Sequence, residues 1–340
     1  MAITIKQIAE LSGVSRGTVD RVLNNRGKVN PSTEKKIREL AEELGYMPNK
    51  AASALAIHKK NLVFGIIINS IGNIFFDEVL NGIKKAEKEF SVYEIKIITI
   101  KLKGYNPMDQ LAAIDELISK NINGLILTPI NTSDIRQKLL SLEELNIPII
   151  ALNSDIQDVP HVGYVGIDYF KSGEIAGGLM RLFHKTYCHV GIITGSFNSL
   201  GHNLRIEGFK STIKNQFSHI KILDIIENND DDKESFNNTL NLINKFPELN
   251  GIYLSAGGVE GACTAITQYA NNPVTIICCD DIPIVKKLIK EKIISASICQ
   301  QPFQQGYLSL KALFEYIVHN TYFDINSYKL ENEIKILQNI

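Results

Sequence analysis

The chain has 340 residues, 44% of them hydrophobic and 21% charged. That is enough for two or three folded units with sizeable cores, and it excludes a disordered or low-complexity protein. The net charge of -1 argues on its face against a nucleic-acid partner, but it averages two unlike segments: residues 1–60 hold 11 Lys/Arg against 6 Asp/Glu, and the other 280 hold 25 against 31. A basic unit of net +5 is joined to an acidic one of net -6. The first gains affinity for phosphates by counterion release, and the second limits unspecific adhesion.

The five cysteines, Cys188, Cys263, Cys278, Cys279 and Cys299, form no CxxC or Cys/His cluster and read as buried thiols of a reducing compartment. The N-terminus lacks the charged start, apolar run and cleavage site of a signal peptide. No apolar run reaches the roughly 18 residues of a membrane span. A cytoplasmic protein without membrane contact is expected.

In chain order, Thr4 is placed to cap a helix running to Leu11, with Ile5, Ile8, Ala9 and Leu11 inward. Ser12-Gly13-Val14 breaks it, and Ser15 caps a second helix that buries Val19, Val22 and Leu23 until Asn24-Asn25-Arg26-Gly27 stops it. A third helix starts after Pro31 with Ser32 or Thr33 as cap, carries Ile37, Leu40, Ala41 and Leu44 at helical spacing, and ends at Gly45. Residues 46–61 hold a turn, a small-residue segment that can form a short helix, and a basic linker, His58-Lys59-Lys60.

From Leu62 onward, apolar strands alternate with amphipathic helices. Strands are expected at 63–68, 95–100, 124–127, 147–152, 164–166, 189–193, 220–226, 251–254, 275–279 and 295–298. Continuous Ile/Val/Leu runs between helices indicate parallel sheets covered on both faces. Ten strands in 280 residues are economically read as two Rossmann-like lobes, with ligand-binding groups at the strand C-termini.

Residues 4–24 carry the spacing of a helix-turn-helix. Ala9 is small where two helices cross, Gly13 supplies the turn, and Val14 and Val19 bury the second helix. Ser15, Arg16, Gly17, Asp20 and Arg21 are left on its outer face, and a helix presenting its N-terminal residues fits the major groove. Arg16 and Arg21 suit guanine O6/N7, and Asp20 suits cytosine N4; for Arg21 a phosphate contact, and for Asp20 orientation of a neighbouring Arg, serve equally well. Thr4, Ser15 and the helix N-termini suit phosphates.

These residues resemble the headpiece of the lac repressor (LacI/GalR) family, whose pattern runs T-I-x-D-V-A-x-x-A-G-V-S-x-x-T-V-S-R-V-L-N. The likeness continues through Val29 to Thr33, Leu44 to Asn49 and Ala52 to Ala56. It departs at Asp20, where the family usually has Ser, and at Gln7, where it usually has Asp. The resemblance adds Thr18, Asn24 and Arg26 to the DNA-facing set. It also implies a hinge helix from Asn49 to Ala56 in which Ala52 and Leu55 meet DNA, Leu55 as a minor-groove wedge. A helix of about two turns is marginal in water, so it can order on DNA.

The remaining residues resemble the family's effector domain, which shares its fold with periplasmic sugar-binding proteins. By that resemblance Asn69, Asn73, Phe75 and Phe76 form a polar loop and aromatic pair for a sugar ring, and Asn153, Ser154 and Asp155 follow a strand into the cleft. Asp168 follows the next strand. Arg205 matches a ligand-contacting Arg, and Asp280 and Gln300 match binding positions. Where relatives often have Asn-Asp, this chain has Gly257-Gly258, which points to a bulkier ligand there or to backbone contacts alone.

No GxGxxG, GxxxxGK[ST] or Gly-x-Ser-x-Gly segment occurs, and the seven His do not pair at metal spacing. No enzyme, cofactor or metal site is therefore expected. The fold expected is α/β: a small all-α headpiece at 1–48, a hinge at 49–61, and a two-lobed periplasmic-binding-protein type I domain at 62–340. Lobe 1 comprises 62–166 and 283–298, and lobe 2 comprises 167–282 and 299–340. The function expected is a homodimeric transcriptional repressor on a pseudo-palindromic operator, controlled by a sugar or sugar derivative. The rival on the same fold is a solute-binding protein of transport or chemotaxis.

Overall fold

The structure, a computed structural model, describes residues 3–23, 29–46, 61–69, 71–217, 219–321 and 328–340. Three helices open the chain: α1 (Ile5–Ser12), α2 (Arg16–Leu23) and α3 (Pro31–Glu43). Thr4 and Gln7 cap α1 reciprocally, each side chain accepting from the other's backbone N–H. Gln7, a departure from the family pattern, thus completes a capping box. Gly13, at φ 74, ends α1 in the left-handed conformation and donates to the Ala9 carbonyl. The Ser15 hydroxyl accepts from the Thr18 N–H at 3.1 Å.

Two expectations for this unit need correction. The cap of α3 is Asn30, whose side chain accepts from Ser32 N–H at 2.9 Å, with Pro31 at the first helical position where a missing N–H costs nothing. Leu11 is 61% exposed, and Ser12 is buried in its place. At 100° per residue, positions 5, 8, 9 and 12 share one stripe of α1 and Leu11 falls outside it. Ile8, Ala9, Val19, Val22, Ile37 and Ala41 form the core.

The larger part alternates strand and helix: β1 (Val63–Ile68), α4 (Phe75–Glu89), β2 (Lys96–Lys101), α5 (Pro107–Ser119), β3 (Gly124–Leu127), α6 (Ser133–Glu144), β4 (Ile149–Leu152) and β5 (Gly163–Ile167). There follow α7 (Tyr169–Phe183), β6 (Cys188–Thr194), α8 (Leu200–Gln216), β7 (Ile220–Glu227), α9 (Asp232–Lys245), β8 (Gly251–Leu254), α10 (Val259–Tyr269) and β9 (Thr275–Cys279). The chain closes with α11 (Pro283–Lys290), β10 (Ala296–Cys299), α12 (Pro302–His319), β11 (Lys329–Leu330) and β12 (Glu333–Lys335). All ten expected strands form, with ends shifted by at most two residues, and two short edge strands join them.

Among the described residues there are two sheets. The first has the order β11-β5-β4-β3-β1-β2 and is parallel throughout; the second, β12-β10-β9-β8-β6-β7, is parallel except for β12. In both, the second strand lies outside the first, so the order reverses between the first and third strands. A crevice opens at such a switch point beyond the strand C-termini.

The expected division of the C-terminal third is reversed as far as β11, while β12 and the residues after it lie with the second lobe as expected. Residues 283–298 do not return to lobe 1: β10 pairs in parallel with β9, Ala296 opposite Ile277, and α11 buries Val285, Leu288 and Ile289 in the second lobe's core. The chain returns later, when α12 buries Leu310, Ala312, Leu313 and Phe314 in the first lobe. The lobes are therefore linked after β5, after β10 and between β11 and β12. Apolar runs of equal length can pair with either sheet, so periodicity alone does not assign them.

Candidate functional site

The lobes meet along the C-terminal ends of their strands, and a cavity of about 30 Å³ lies between them. The first lobe supplies Asn73, Phe75, Phe76, Tyr105, Thr128, Pro129 and Asn153 to its wall. The Asn73 side chain accepts from the Phe75 N–H at 3.1 Å and so starts α4. The rings of Phe75 and Phe76 meet edge to face at 5.2 Å. Both also belong to the first lobe's core, so they serve packing and cavity at once.

Arg205, from the second turn of α8, is the central group of the second lobe. It is 2% exposed. Its Nη1 donates to the Ser255 carbonyl at 2.7 Å, and its guanidinium lies over the Tyr169 ring at 4.7 Å. Nε and Nη2 have no hydrogen-bond partner among the described residues. A buried cation with unpaired donors is costly unless something accepts from them. Arg205 is placed by the crossing of α7 and α8, where Gly173 packs on the Arg205 carbonyl and Gly208 on that of Phe170, with no room for a Cβ at either.

Asp280 follows β9 in the left-handed region at φ 70. Its carboxylate accepts from Gln300 Nε2 at 2.8 Å. Burial pushes its pKa up to about 6, partly offset by Arg205 and by the Gln300 hydrogen bond. Gln300 Oε1 accepts in turn from the Tyr169 hydroxyl at 2.8 Å and from Asn153 Nδ2 at 3.3 Å. Burial raises the pKa of Tyr105 and Tyr169, so both phenols stay neutral donors near pH 7.

Of nine residues expected at the ligand, Asn73, Phe75, Phe76, Asn153, Arg205, Asp280 and Gln300 line this cavity. Asp155 does not: β4 ends at Leu152, Asn153 turns the chain at φ 66, and the Asp155 carboxylate accepts from its neighbour Ile156 N–H and lies 3.3 Å from His161 Nε2. Asn69 lies instead on the wider mouth of the cleft, buried, with neither side-chain polar atom partnered among the described residues. Ser154 accepts from the Gly201 N–H across the lobes, and Asp168 caps α7.

Sequence reasoning missed Tyr105, Tyr169, His202 and above all Asp230. Asp230 enters from the loop between β7 and α9. Its carboxylate accepts from the Tyr105 hydroxyl at 2.6 Å, from Asn73 Nδ2 at 3.4 Å and from the Gly257 N–H at 2.8 Å. A Cβ on Gly257 would press on Asp230 at 3.0 Å, and one on Gly258, at φ 78, would strike Asn228 and Ser235. The two glycines therefore leave no space for a bulkier ligand; Asp230 and Asn228 fill it. The signal was the run Asn228 to Asp232 after a strand, which reads as a helix start, and Asp231 does cap α9.

In the headpiece, Thr4, Ser15, Arg16, Gly17 and Arg21 are exposed, while Thr18 and Asp20 are half-buried. Asp20 lies close enough to Tyr46 to reinforce burial in raising that phenol's pKa. Arg16 and Arg21 thus dominate the outer face of α2. Asn24, Arg26, Asn49, Ala52 and Leu55 lie outside the described residues. Among the described residues no helix is long and apolar enough to cross a membrane, and no His/Cys/Asp/Glu group could hold a metal ion.

Comparison with known proteins agrees with this geometry. The probable HTH-type transcriptional repressor ExuR of Bacillus subtilis is 32% identical over 226 residues, which cover 65% of this chain and 60% of that protein. Catabolite control protein A of Priestia megaterium is 29% identical over 214 residues, 63% of this chain and 61% of that one. The chain thus spans about 60% of the length of these curated relatives.

Two solved structures share the fold. One is GanP, a glucose-galactose binding protein from Geobacillus stearothermophilus (TM-score 0.76, 22% identity, 82% of this chain and 98% of that one). The other is a solute-binding protein from Burkholderia graminis in complex with D-arabinose (TM-score 0.75, 20% identity, 82% and 96%). The model of a periplasmic binding protein domain matches residues 64–321, and that of bacterial regulatory proteins of the lacI family matches residues 4–49. Residues 4–49 thus resemble the lacI family of bacterial regulatory proteins, and the chain belongs, through residues 64–321, to the family of the periplasmic binding protein domain.

Proposed function

We propose that this protein is a DNA-binding transcriptional repressor whose operator affinity is set by a sugar-like effector held between the lobes. The observation that carries the reading is the presence in one chain of a lacI-type helix-turn-helix with two outward arginines and a two-lobed cleft centred on Arg205. Arg16 and Arg21 read or anchor the duplex; Thr4, Ser15, Gly17, Thr18 and Asp20 support the docking, as do Asn24, Arg26, Asn49, Ala52 and Leu55. Two copies pair so that two headpieces meet a pseudo-palindromic operator. A sugar hydroxyl accepts from Arg205 and donates to Asp280, and the Phe75 and Phe76 rings cover its apolar face. Ligand shifts lobe closure and with it the operator affinity, by a coupling of about 1–3 kcal/mol.

The test is fluorescence anisotropy on DNA taken from upstream of the protein's own gene. Full-length protein should bind it at moderate salt, and a variant lacking residues 1–60 should not. Binding no tighter than to random duplex, on this DNA and on every genomic fragment tried, sinks the regulator reading.

A further inference from the structure

We propose that Asp230 sets the charge selectivity of the cleft, admitting an uncharged vicinal diol and turning away phosphorylated and carboxylated sugars. This rests on the sugar-controlled reading above and names the ligand class more narrowly. Arg205 offers two nitrogens unpartnered among the described residues, Nε and Nη2, to the cavity, while Asp280 has one side-chain hydrogen bond, from Gln300, and can accept another. A hydroxyl oxygen accepts from Arg205 and donates to Asp280, and two neighbouring hydroxyls serve both free guanidinium nitrogens. A fully ionised phosphate or carboxylate can accept from Arg205 but has no proton to donate to the Asp280 carboxylate.

Charge sharpens the choice. Two carboxylates, Asp230 and Asp280, already share this cavity with one guanidinium. His202 adds no cation near neutral pH, because burial lowers its pKa. An anionic ligand would place a third negative charge around a single positive one, in a closed site where charges are weakly screened. Asp230 tips this balance, and its position is built. Three donors orient its carboxylate, and the absence of a side chain at Gly257 leaves it room.

The test uses full-length wild-type protein and Asp230→Asn, which removes the charge and keeps an acceptor oxygen. Isothermal titration is run with matched sets: D-glucose, D-glucose 6-phosphate and D-glucuronate; D-arabinose and D-arabinose 5-phosphate; and inorganic phosphate alone. Wild type should bind the neutral member of a set at least ten-fold tighter than its anions. Asp230→Asn should shrink that ratio by ten-fold or more and should bind inorganic phosphate more tightly than wild type. An anion preferred by wild type overturns the proposal, as does a ratio and a phosphate affinity both unchanged within two-fold by Asp230→Asn. If no sugar binds wild type, this inference and the sugar-controlled reading fall together. The DNA-binding reading then stands or falls on its own anisotropy result.

Discussion

Arg205 and Asp280 behave unlike ordinary buried charges, because each retains hydrogen-bonding capacity facing one cavity. Arg205→Ala removes the stack on Tyr169 and both free donors, so it should abolish any thermal shift given by an effector. A full shift in that variant takes Arg205 out of the site. For Asp280 the sign follows from its raised pKa. The folded state holds the proton more tightly than the unfolded one, so between pH 4 and about 6 stability falls as pH rises. Asp280→Asn imitates the neutral form at every pH. Its melting temperature should exceed that of wild type above pH 6, and the gap should close towards pH 4. A gap independent of pH contradicts the assignment.

Arg16 and Arg21 can also be told apart at this scale. Loss of a phosphate contact weakens all sequences alike and lowers the salt slope by about 1, whereas loss of a base contact relaxes specificity at one position, costing about 1–3 kcal/mol. Anisotropy on point-mutated operators at several salt concentrations distinguishes the two.

Among the elements, the crossing of α7 and α8 decides whether the site exists. Gly173 and Gly208 let the two backbones touch, and Arg205 lies one turn before Gly208. The crossing of α4 and α12 in the first lobe repeats the device with Gly82 and Gly306. Gly208→Ala forces the helices apart at a cost of about 1–3 kcal/mol. It should lower ligand affinity as well as stability, because Arg205 moves with the helix. Gly306→Ala, at the equivalent crossing of the first lobe, should cost similar stability while leaving Arg205 in place. Equal loss of affinity in the two variants, read by titration and chemical denaturation, argues against a positioning role for Gly208.

For the whole molecule, the separation of charge matters more than its sum. A segment of net +5 precedes one of net -6. If the first engages 6–10 phosphates, affinity should fall by roughly 10³–10⁵ between 50 and 200 mM salt. A nearly flat salt dependence would show that the basic segment is not the contact. The same experiment repeated with saturating effector should change the affinity by a constant factor and leave the slope alone, provided the effector acts through lobe closure and not by screening.

Much of this was legible in the sequence, because it depends on local rules. The turn at Gly13, the caps at Thr4 and Ser15 and the ten strands follow from short-range periodicity and capping, and seven of the nine expected ligand residues line the cavity as the family resemblance implied. What the sequence could not determine was pairing over distance. Residues 283–298 joined the second lobe because β9, and not a first-lobe strand, offered the matching edge. Asp155 was lost to its own loop. Asp230 belongs to the cleft because three donors, from Asn73, Tyr105 and Gly257, converge on its carboxylate across sequence separations of 27 to 157. A hydrogen bond across such a span leaves no periodic trace in the chain, and only the closed tertiary structure decides that Asp230 belongs to the cleft.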